Sequence, residues 1–332
     1  MRSVIYILNV LVSIPVHAQS KKAADYGFRH FQMIYEKDTV DILIKSKKGE
    51  ENKKKPLFLF CQGSQAQPLI KYSEHGVYGI FPFRTDSLES VYHLAIISKP
   101  YIPLIADAKT LDRSMVYNDP VTGLLPKKYS DRNYLDYYVS RNISAIKYLQ
   151  QQKFVDSRTL VVAGHSEGST IAAKLALQSS KVTRLIYASG NPLGRIQSII
   201  NEDRLKETDT DSTRYAEADF DYWEQIVQDK NSLDASSGDT PKATYDFSYP
   251  PIKYLEQLKI PVLVCYGTRD ISSPFNDYLR AEMIRQRKAN FTFKAYIGLE
   301  HNFFPIMPTG QIDHDQFNWD DVANDWLRWT RR

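Results

Sequence analysis

Cysteine is scarce in this chain, which has two cysteines in 332 residues. Cys61 and Cys265 both lie in apolar runs that predict core strands. Neither has the Cys/His spacing of a metal site, so the sequence gives no indication of a bound metal. A disulfide between them would be compatible with an exported protein, and two buried free thiols are the alternative.

Long hydrophobic runs are also missing. The longest apolar stretch, Val4 to Val16, is too short for a comfortable membrane span. Arg2 is the only charge before Ala18, and Val16-His17-Ala18 fits a small-residue cleavage site. We therefore predict a signal peptide at residues 1–18 and an exported protein, periplasmic or secreted, without a stable membrane anchor. An uncleaved anchor is the alternative.

Strong charge of one sign is absent as well. The formal net charge is +4, and no aromatic residues alternate with the basic ones in a nucleic-acid motif. We therefore expect no nucleic-acid partner. No internal repeat or low-complexity segment is present, and 42% hydrophobic residues suit one globular domain with an insertion, or two small domains.

The most informative motif is Gly164-His165-Ser166-Glu167-Gly168, which follows an apolar run and precedes a helical pattern. Strand, sharp turn and helix with a serine at the apex form a nucleophile elbow. The two glycines let the strand and the helix approach closely, and the serine Oγ stands exposed at the carboxyl edge of the sheet. Ser166 is the candidate nucleophile.

Two further residues complete a catalytic set. Asp270 follows the predicted strand 260–267, and His301 follows the predicted strand 291–297. A serine hydroxyl needs a base to take its proton, and a carboxylate fixes the tautomer of the histidine base. The order Ser166, Asp270, His301 predicts such a triad.

Together, these motifs resemble the α/β-hydrolase superfamily of serine hydrolases. The similarity also includes Pro56-Leu57-Phe58-Leu59-Phe60-Cys61-Gln62-Gly63-Ser64 and covers roughly residues 56 to 330. In this family the strand before the first glycine-containing loop ends in a His-Gly sequence, where Gln62 stands here. The resemblance implies an oxyanion hole formed by the backbone amides of Ser64 and Glu167, with Gln65 as an alternative donor.

The resemblance also implies the architecture. We expect an α/β-hydrolase fold, with a mostly parallel central sheet flanked by helices and a helical cap insertion. Residues 19–190 and 259–332 would form the core, and residues 191–258 the cap. In this fold the two cysteine-bearing strands are not neighbours, which favours free thiols.

The pattern along the chain gives more detail. An antiparallel pair is predicted at 28–36 and 39–47, and further strands at 56–62, 91–98 and 183–188. Helices are predicted at 132–151, capped by Ser130 or Asp131, and at 320–331. Residues 66–90 and the segment from 99 to about 128 are predicted to be loops. The tryptophans Trp319, Trp326 and Trp329 are expected to pack on the sheet.

Other residues compete for the same roles. Cys61 is an alternative nucleophile, His314 an alternative base and Asp277 an alternative acid. The side chain of His165 is expected to point away from Ser166 and to pack or orient the turn. The Glu167 carboxylate either lines the pocket or forms a salt bridge within the fold.

The predicted cap is acidic, with 14 Asp and Glu against 7 Lys and Arg in residues 191–258, a net charge of −7. A solvated helical surface explains this excess, and attraction of a cationic substrate is the alternative. Its aromatic cluster either walls a pocket or forms the small core of the cap. The cluster comprises Tyr215, Phe220, Tyr222 and Trp223.

These observations predict a serine hydrolase that cleaves a carboxylic ester through an acyl-enzyme intermediate, without a metal or organic cofactor. Its partner would be a small-molecule ester or a short peptide. An exported aminopeptidase-like enzyme of the same fold is the second hypothesis. A non-catalytic binding protein is the third, because function depends on the site and not on the fold.

Overall fold

The computed structural model describes residues 21–209, 211–236 and 238–332. The described strands are β1 (Arg29–Tyr35), β2 (Asp38–Lys45), β3 (Lys55–Cys61), β4 (Ile70–Ser73), β5 (Gly76–Tyr78), β6 (His93–Ile97), β7 (Ile105–Asp107), β8 (Val155–His165), β9 (Arg184–Ala188), β10 (Val262–Gly267) and β11 (Phe291–Tyr296). The described α-helices are α1 (Asp86–Glu89), α2 (Lys127–Ser130), α3 (Leu135–Gln150), α4 (Glu167–Gln178), α5 (Arg195–Arg204), α6 (Tyr215–Gln228), α7 (Pro241–Ser248), α8 (Ile252–Leu255), α9 (Ser273–Arg285) and α10 (Trp319–Thr330). Short 3-10 helices span Ala23–Tyr26, Ala108–Thr110 and Asp211–Thr213.

The central sheet has eight of these strands in the order β1-β2-β6-β3-β8-β9-β10-β11. Every pair from β6 to β11 is parallel, whereas β2 is antiparallel to both β1 and β6. Because parallel strands end at the same edge, the loops after β3, β8, β10 and β11 meet there. These are the loops that carry the predicted site.

Helices cover both faces of the sheet, which is why its inner strands read as continuous apolar runs. One face packs against α3, α4, α8 and α9, and the other against α1 and α10. The Trp326 ring lies 6.2 Å from the ring of Phe58, between centroids. All three α10 tryptophans are buried in the same cluster, as predicted.

Most of the predicted elements are confirmed, but the segment between β3 and α3 is more ordered than the sequence indicates. Strands β4, β5 and β7 form a second, three-stranded sheet in the order β5-β4-β7. The prediction of loops at 66–90 and from 99 to about 128 is therefore wrong in part. The pairing of β4 with β7 joins residues that are distant in sequence, so short-range alternation could not reveal it.

Helix α3 begins at Leu135 and not at Arg132, and Tyr134 occupies its N-cap position in an extended conformation. The preceding polar residues are committed to other contacts. Arg132 Nε donates to Asp38 Oδ2 over 2.7 Å, and Asn133 Oδ1 accepts from the Tyr138 hydroxyl over 2.9 Å. These tertiary contacts hold the chain in a turn where the sequence pattern would have continued the helix.

The 191–258 segment lies between β9 and β10 and contains helices α5 to α8. Ile196, Ile200 and Ala216 form a small buried cluster, against which Trp223 packs. None of the helices in the described residues combines the length and the apolar composition that a membrane crossing requires. The predicted signal peptide, residues 1–18, lies outside the described residues.

Candidate active site

Ser166 lies at the turn between β8 and α4, as the motif predicts. Its backbone has φ 57° and ψ −129°, a conformation that non-glycine residues rarely adopt. Such strain persists only where the surrounding structure imposes it, and it is concentrated at functional sites. Ser166 donates its backbone N–H to the carbonyl oxygen of Ala188 over 3.0 Å, which anchors the turn to β9.

Both glycines of the motif are required by close packing. A Cβ atom on Gly164 would lie 2.0 Å from the carbonyl oxygen of Gly168, and one on Gly168 would lie 2.1 Å from that of Cys61. Since neither contact leaves room for a methyl group, any larger residue would push α4 away from the sheet. The turn therefore needs glycine at both positions.

Asp270 and His301 form a hydrogen-bonded pair. His301 Nδ1–H donates to Asp270 Oδ2 over 3.0 Å, and Asp270 Oδ1 accepts from the Ser272 amide over 2.9 Å. The Asp270 side chain is fully buried, whereas about a third of the His301 side chain (35%) is exposed. Burial acts to lower the pKa of His301, but the hydrogen bond to Asp270 and its charge outweigh burial and raise it.

Ser166 and His301 line the same two cavities. Both side chains belong to the described residues, and the Ser166 hydroxyl does not form a hydrogen bond with the His301 ring. Catalytic hydrogen bonds are often long in substrate-free enzymes and shorten when the substrate binds. The arrangement therefore places the three predicted triad residues at one site, with the Asp270–His301 contact already made.

The residues that compete for the triad roles, His314, Asp277 and Cys61, are not arranged to replace the triad residues. His314 is exposed, packs on Phe304 and lines neither cavity that contains Ser166. Asp277 accepts a hydrogen bond from the Tyr266 hydroxyl over 2.5 Å. Cys61 is buried, and burial raises its pKa to about 12, so it is not a thiolate at neutral pH. The structure thus pairs His301 with Asp270 and with none of these residues.

The two cysteines are free. Their strands, β3 and β10, are separated in the sheet by β8 and β9. Cys265 Sγ accepts a hydrogen bond from Trp326 Nε1 over 3.3 Å. The prediction of two buried free thiols is confirmed.

The predicted oxyanion donors lie on either side of Ser166. A Cβ atom on Gly63 would lie 3.7 Å from Ser166 Cβ, so the loop that carries Ser64 passes directly beside the serine. Ser64 also lines both cavities. Within the described part of the chain, neither the Ser64 amide nor the Glu167 amide donates a hydrogen bond. Both donors are therefore available to a ligand.

Two side chains hold the loop that carries His301. His165 Nε2–H donates to the His301 carbonyl oxygen over 2.9 Å, and burial lowers the pKa of His165 to about 3, which keeps it neutral. The Glu300 carboxylate accepts from the amides of Asn302 (2.7 Å) and Phe304 (3.0 Å). His165 orients its surroundings as expected, while the role of Glu300 was not predicted.

The first of the two cavities has a volume of about 410 Å³. We call it the Lys71 cavity, after the lysine of β4 in its wall. Its other polar wall residues are four amides, two serines and two histidines, namely Gln62, Gln65, Gln67, Asn302, Ser64, Ser166, His165 and His301. Among the described residues that line it, none is an aspartate or a glutamate.

The second cavity, of about 250 Å³, is the Arg195 cavity, and residues of the 191–258 segment form much of its wall. Glu167 is buried there and forms ion pairs with Lys99, at 3.2 Å, and with Arg195. Arg195 also contacts Asp239 at 2.6 Å. Of the two alternatives for the Glu167 carboxylate, the structure shows both, since Glu167 lines the cavity and is salt-bridged.

Most of the acidic residues of the 191–258 segment lie away from the two cavities. Asp221 and Glu224 are exposed on α6, and Asp219, although partly buried, lines neither cavity. None of the four residues of the aromatic cluster lines either cavity. Trp223 stacks on Tyr245 with ring centroids 5.8 Å apart, while Tyr215 and Phe220 are more than 40% exposed. Attraction of a cationic substrate by this surface stays a prediction.

Sequence reasoning did not identify the charged residues Lys71, Lys99, Arg195 and Asp239. Lys71 lies in the mostly apolar stretch Pro68-Leu69-Ile70-Lys71-Tyr72. A single lysine within such a run is the sequence signal that could have identified it. Among the described residues, no group of three or more His, Cys, Asp or Glu side chains is arranged to hold a metal ion.

No protein-family model matches the chain, and no curated protein matches it in sequence. Its structure is similar to that of Est1E from Butyrivibrio proteoclasticus with bound ferulic acid, with a TM-score of 0.54 and 14% identity over 91% of this chain and 97% of that chain. It is similar to dipeptidyl peptidase 4 of Porphyromonas gingivalis, with a TM-score of 0.53 and 12% identity over 91% of this chain. A third similar structure is 2,6-dihydroxy-pseudo-oxynicotine hydrolase, with a TM-score of 0.50 and 12% identity over 90% of this chain and 67% of that chain. The chain spans about a third (35%) of the length of the peptidase.

Proposed function

Since the chain has the α/β-hydrolase fold, we propose that it is a serine hydrolase that cleaves a carboxylic ester through an acyl-enzyme intermediate. The observation that carries the proposal is the meeting of three features at one edge of the sheet. These are the strained Ser166 turn, the Asp270–His301 pair and two unengaged backbone amides. Each supplies one requirement of acyl transfer.

In the proposed reaction Ser166 Oγ attacks the ester carbonyl carbon while His301 Nε2 takes the hydroxyl proton. Asp270 fixes the tautomer of His301 and stabilises the imidazolium. The Ser64 and Glu167 amides hold the oxyanion of the tetrahedral intermediate. The C–O bond to the alcohol then breaks, and His301 returns the proton to the leaving alkoxide. A water molecule then attacks the acyl carbonyl carbon while His301 takes its proton, the bond to Ser166 Oγ breaks, and His301 returns the proton to Ser166 as the acid leaves.

The test is covalent labelling of the wild-type protein and of Ser166→Ala with a fluorophosphonate probe, together with turnover of neutral 4-nitrophenyl esters. We expect labelling of the wild type alone, and turnover lower in the variant by several orders of magnitude, as for other triad deletions. The fold should be retained, because only one oxygen atom is removed. Labelling that persists in Ser166→Ala would refute the assigned nucleophile. A wild type that neither reacts with the probe nor hydrolyses any substrate would favour the hypothesis of a non-catalytic binding protein.

Aminoacyl 4-nitroanilides belong in the same assay, because an aminopeptidase-like enzyme is the second hypothesis. An aminopeptidase needs an acidic group for the free amine of its substrate. The acids that line the two cavities are Glu167 and Asp239, and both are paired with Arg195. This pairing favours the ester, and faster cleavage of the anilides than of matched esters would reverse the choice.

Export remains part of the proposal. The mature chain should begin near Gln19, which mass spectrometry of the protein from its native source would show. A chain that retains Met1 in the secreted or periplasmic fraction would contradict the cleaved signal peptide.

A further inference from the structure

Lys71 is a buried lysine in the wall of a cavity that contains the candidate nucleophile. It lies on β4 of the small sheet and is 9% exposed. Its Nζ donates to Gln67 Oε1 over 3.0 Å and to the Pro68 carbonyl oxygen over 3.4 Å. A lysine ammonium carries three N–H donors, so these contacts leave one for a ligand.

The charge of Lys71 has no counterion among residues 21–209, 211–236 and 238–332. Among the described residues, no carboxylate forms an ion pair with Lys71, and the cavity has neither Asp nor Glu in its wall. Burial lowers the pKa of Lys71, with no contribution from a neighbouring charge. The polar side chains that line the cavity with Lys71 are therefore amides, serines and histidines, with no carboxylate among the described residues.

Lys71 differs in this from the other buried lysines. Lys55 pairs with Glu50, and Lys99 pairs with Glu167. Burial of a charge without a partner costs free energy, which is why buried charges are usually paired. An unpaired ammonium at the wall of a substrate cavity therefore points to a partner that the substrate brings.

We propose that Lys71 binds a carboxylate group of the substrate, so that the enzyme prefers esters that carry a negative charge on the portion that enters the Lys71 cavity. This inference rests on the proposed ester hydrolysis. A carboxylate suits the site because a lysine with one remaining donor offers a single charge-assisted contact, whereas phosphate recognition typically uses several donors or a bidentate arginine.

The experiment compares the specificity constants of matched charged and neutral esters. For an acyl portion in the cavity, the substrates are the 4-nitrophenyl half-esters of glutaric and adipic acids and their neutral methyl esters. For an alcohol portion, they are 4-acetoxybenzoate and methyl 4-acetoxybenzoate. A quaternary ammonium ester of similar length is included as the cationic comparison.

The variants are Lys71→Met, which keeps an unbranched side chain and removes the charge, and Lys109→Met as the matched control. Lys109 follows the neighbouring strand β7, is exposed, and pairs with Glu74 outside the cavity. Each variant loses one positive charge in or directly beside the small sheet, but only Lys71→Met changes the cavity.

We expect kcat/KM to favour the anionic member of at least one pair, on the order of 10- to 100-fold, as for a hydrogen bond to a charged group. That ratio should approach about 1 in Lys71→Met and persist in Lys109→Met. The proposal is overturned if no pair shows a preference, if the ratio is the same in Lys71→Met as in the wild type, or if the cationic ester is the best substrate.

If Lys71→Met does not fold, inhibition of the wild type tests the proposal. Glutarate should compete with a neutral ester at a concentration at least tenfold lower than glutaramide, and equal inhibition would overturn the proposal. Probe labelling of Ser166 distinguishes a failure of the carboxylate site from a failure of the proposed function. If the wild type is labelled and hydrolyses neutral esters but shows no charge preference, the carboxylate site alone is refuted. If the wild type is neither labelled nor active on any ester, the proposed function is refuted as well.

Discussion

The Lys71 cavity and the Arg195 cavity share Ser64, Ser166 and His301. They differ in whether the cation in the wall is paired with a carboxylate. Arg195 is held by Glu167 and Asp239, so the charge of its cavity is balanced within the protein. Within the part of the chain that the structure describes, Lys71 is held by an amide oxygen and a carbonyl oxygen and by no carboxylate. The comparison separates a cation whose charge is balanced within the protein from one that is not, and the proposed carboxylate site rests on that difference.

Asp270→Asn should have the largest effect on turnover and should affect all substrates alike, because His301 lines both cavities. The amide would fix the wrong tautomer of the histidine, and kcat should fall about ten-thousand-fold. Steady-state kinetics with an anionic and a neutral ester should show the same fractional loss for each. A much larger loss for one ester would mean that Asp270 also contributes to recognition.

The pH profile of the same variant gives a second measurement. The base must be neutral, and Asp270 raises the pKa of His301. Activity of the wild type should therefore decline, as the pH falls, at a pH above the ordinary pKa of histidine. In Asp270→Asn the decline should move to lower pH. An unshifted acidic limb would contradict the assignment of His301 as the base.

Glu167→Gln tests the balanced cavity and should have the largest effect on stability. It would leave Lys99, which is 2% exposed, and Arg195 without their shared carboxylate. Breaking a buried ion pair typically costs about 3–5 kcal/mol of unfolding free energy. Urea denaturation measures the loss. The matched control is Glu282→Gln, which removes the partner of Arg285 at an exposed position and should leave the midpoint unchanged.

Lys71→Met should change stability less than Glu167→Gln, and in the opposite direction. It removes an ammonium that no carboxylate balances, so the free energy of unfolding should rise by about 1 kcal/mol. The same urea titration would show this as a higher midpoint with an unchanged slope. A loss of several kcal/mol would mean that Lys71 is part of a stabilising network and would remove the contrast between the cavities.

The central sheet and the triad positions could be predicted because their signals are local. The Ser166 motif lies within five consecutive residues, and Asp270 and His301 each follow an apolar strand. The ion cluster could not be predicted in this way, since Lys99, Glu167 and Arg195 come from three separate segments. Nor could the small sheet, because the pairing of Ile70 with Ile105 depends on the folded core beneath it.

In the proposed enzyme, the small sheet places substrate recognition on strands other than those that carry the triad. Ser166, Asp270 and His301 follow strands of the central sheet, whereas Lys71 belongs to an excursion between β3 and α3 that adds no strand to the central sheet beyond β6. On this proposal, replacement of residues of β4, β5 and β7 would exchange one substrate preference for another without moving the strands that carry the triad or the loop that carries Ser64. The fold thus offers protein engineers a mutable segment for retargeting the enzyme, with Lys71 as the first position to randomise.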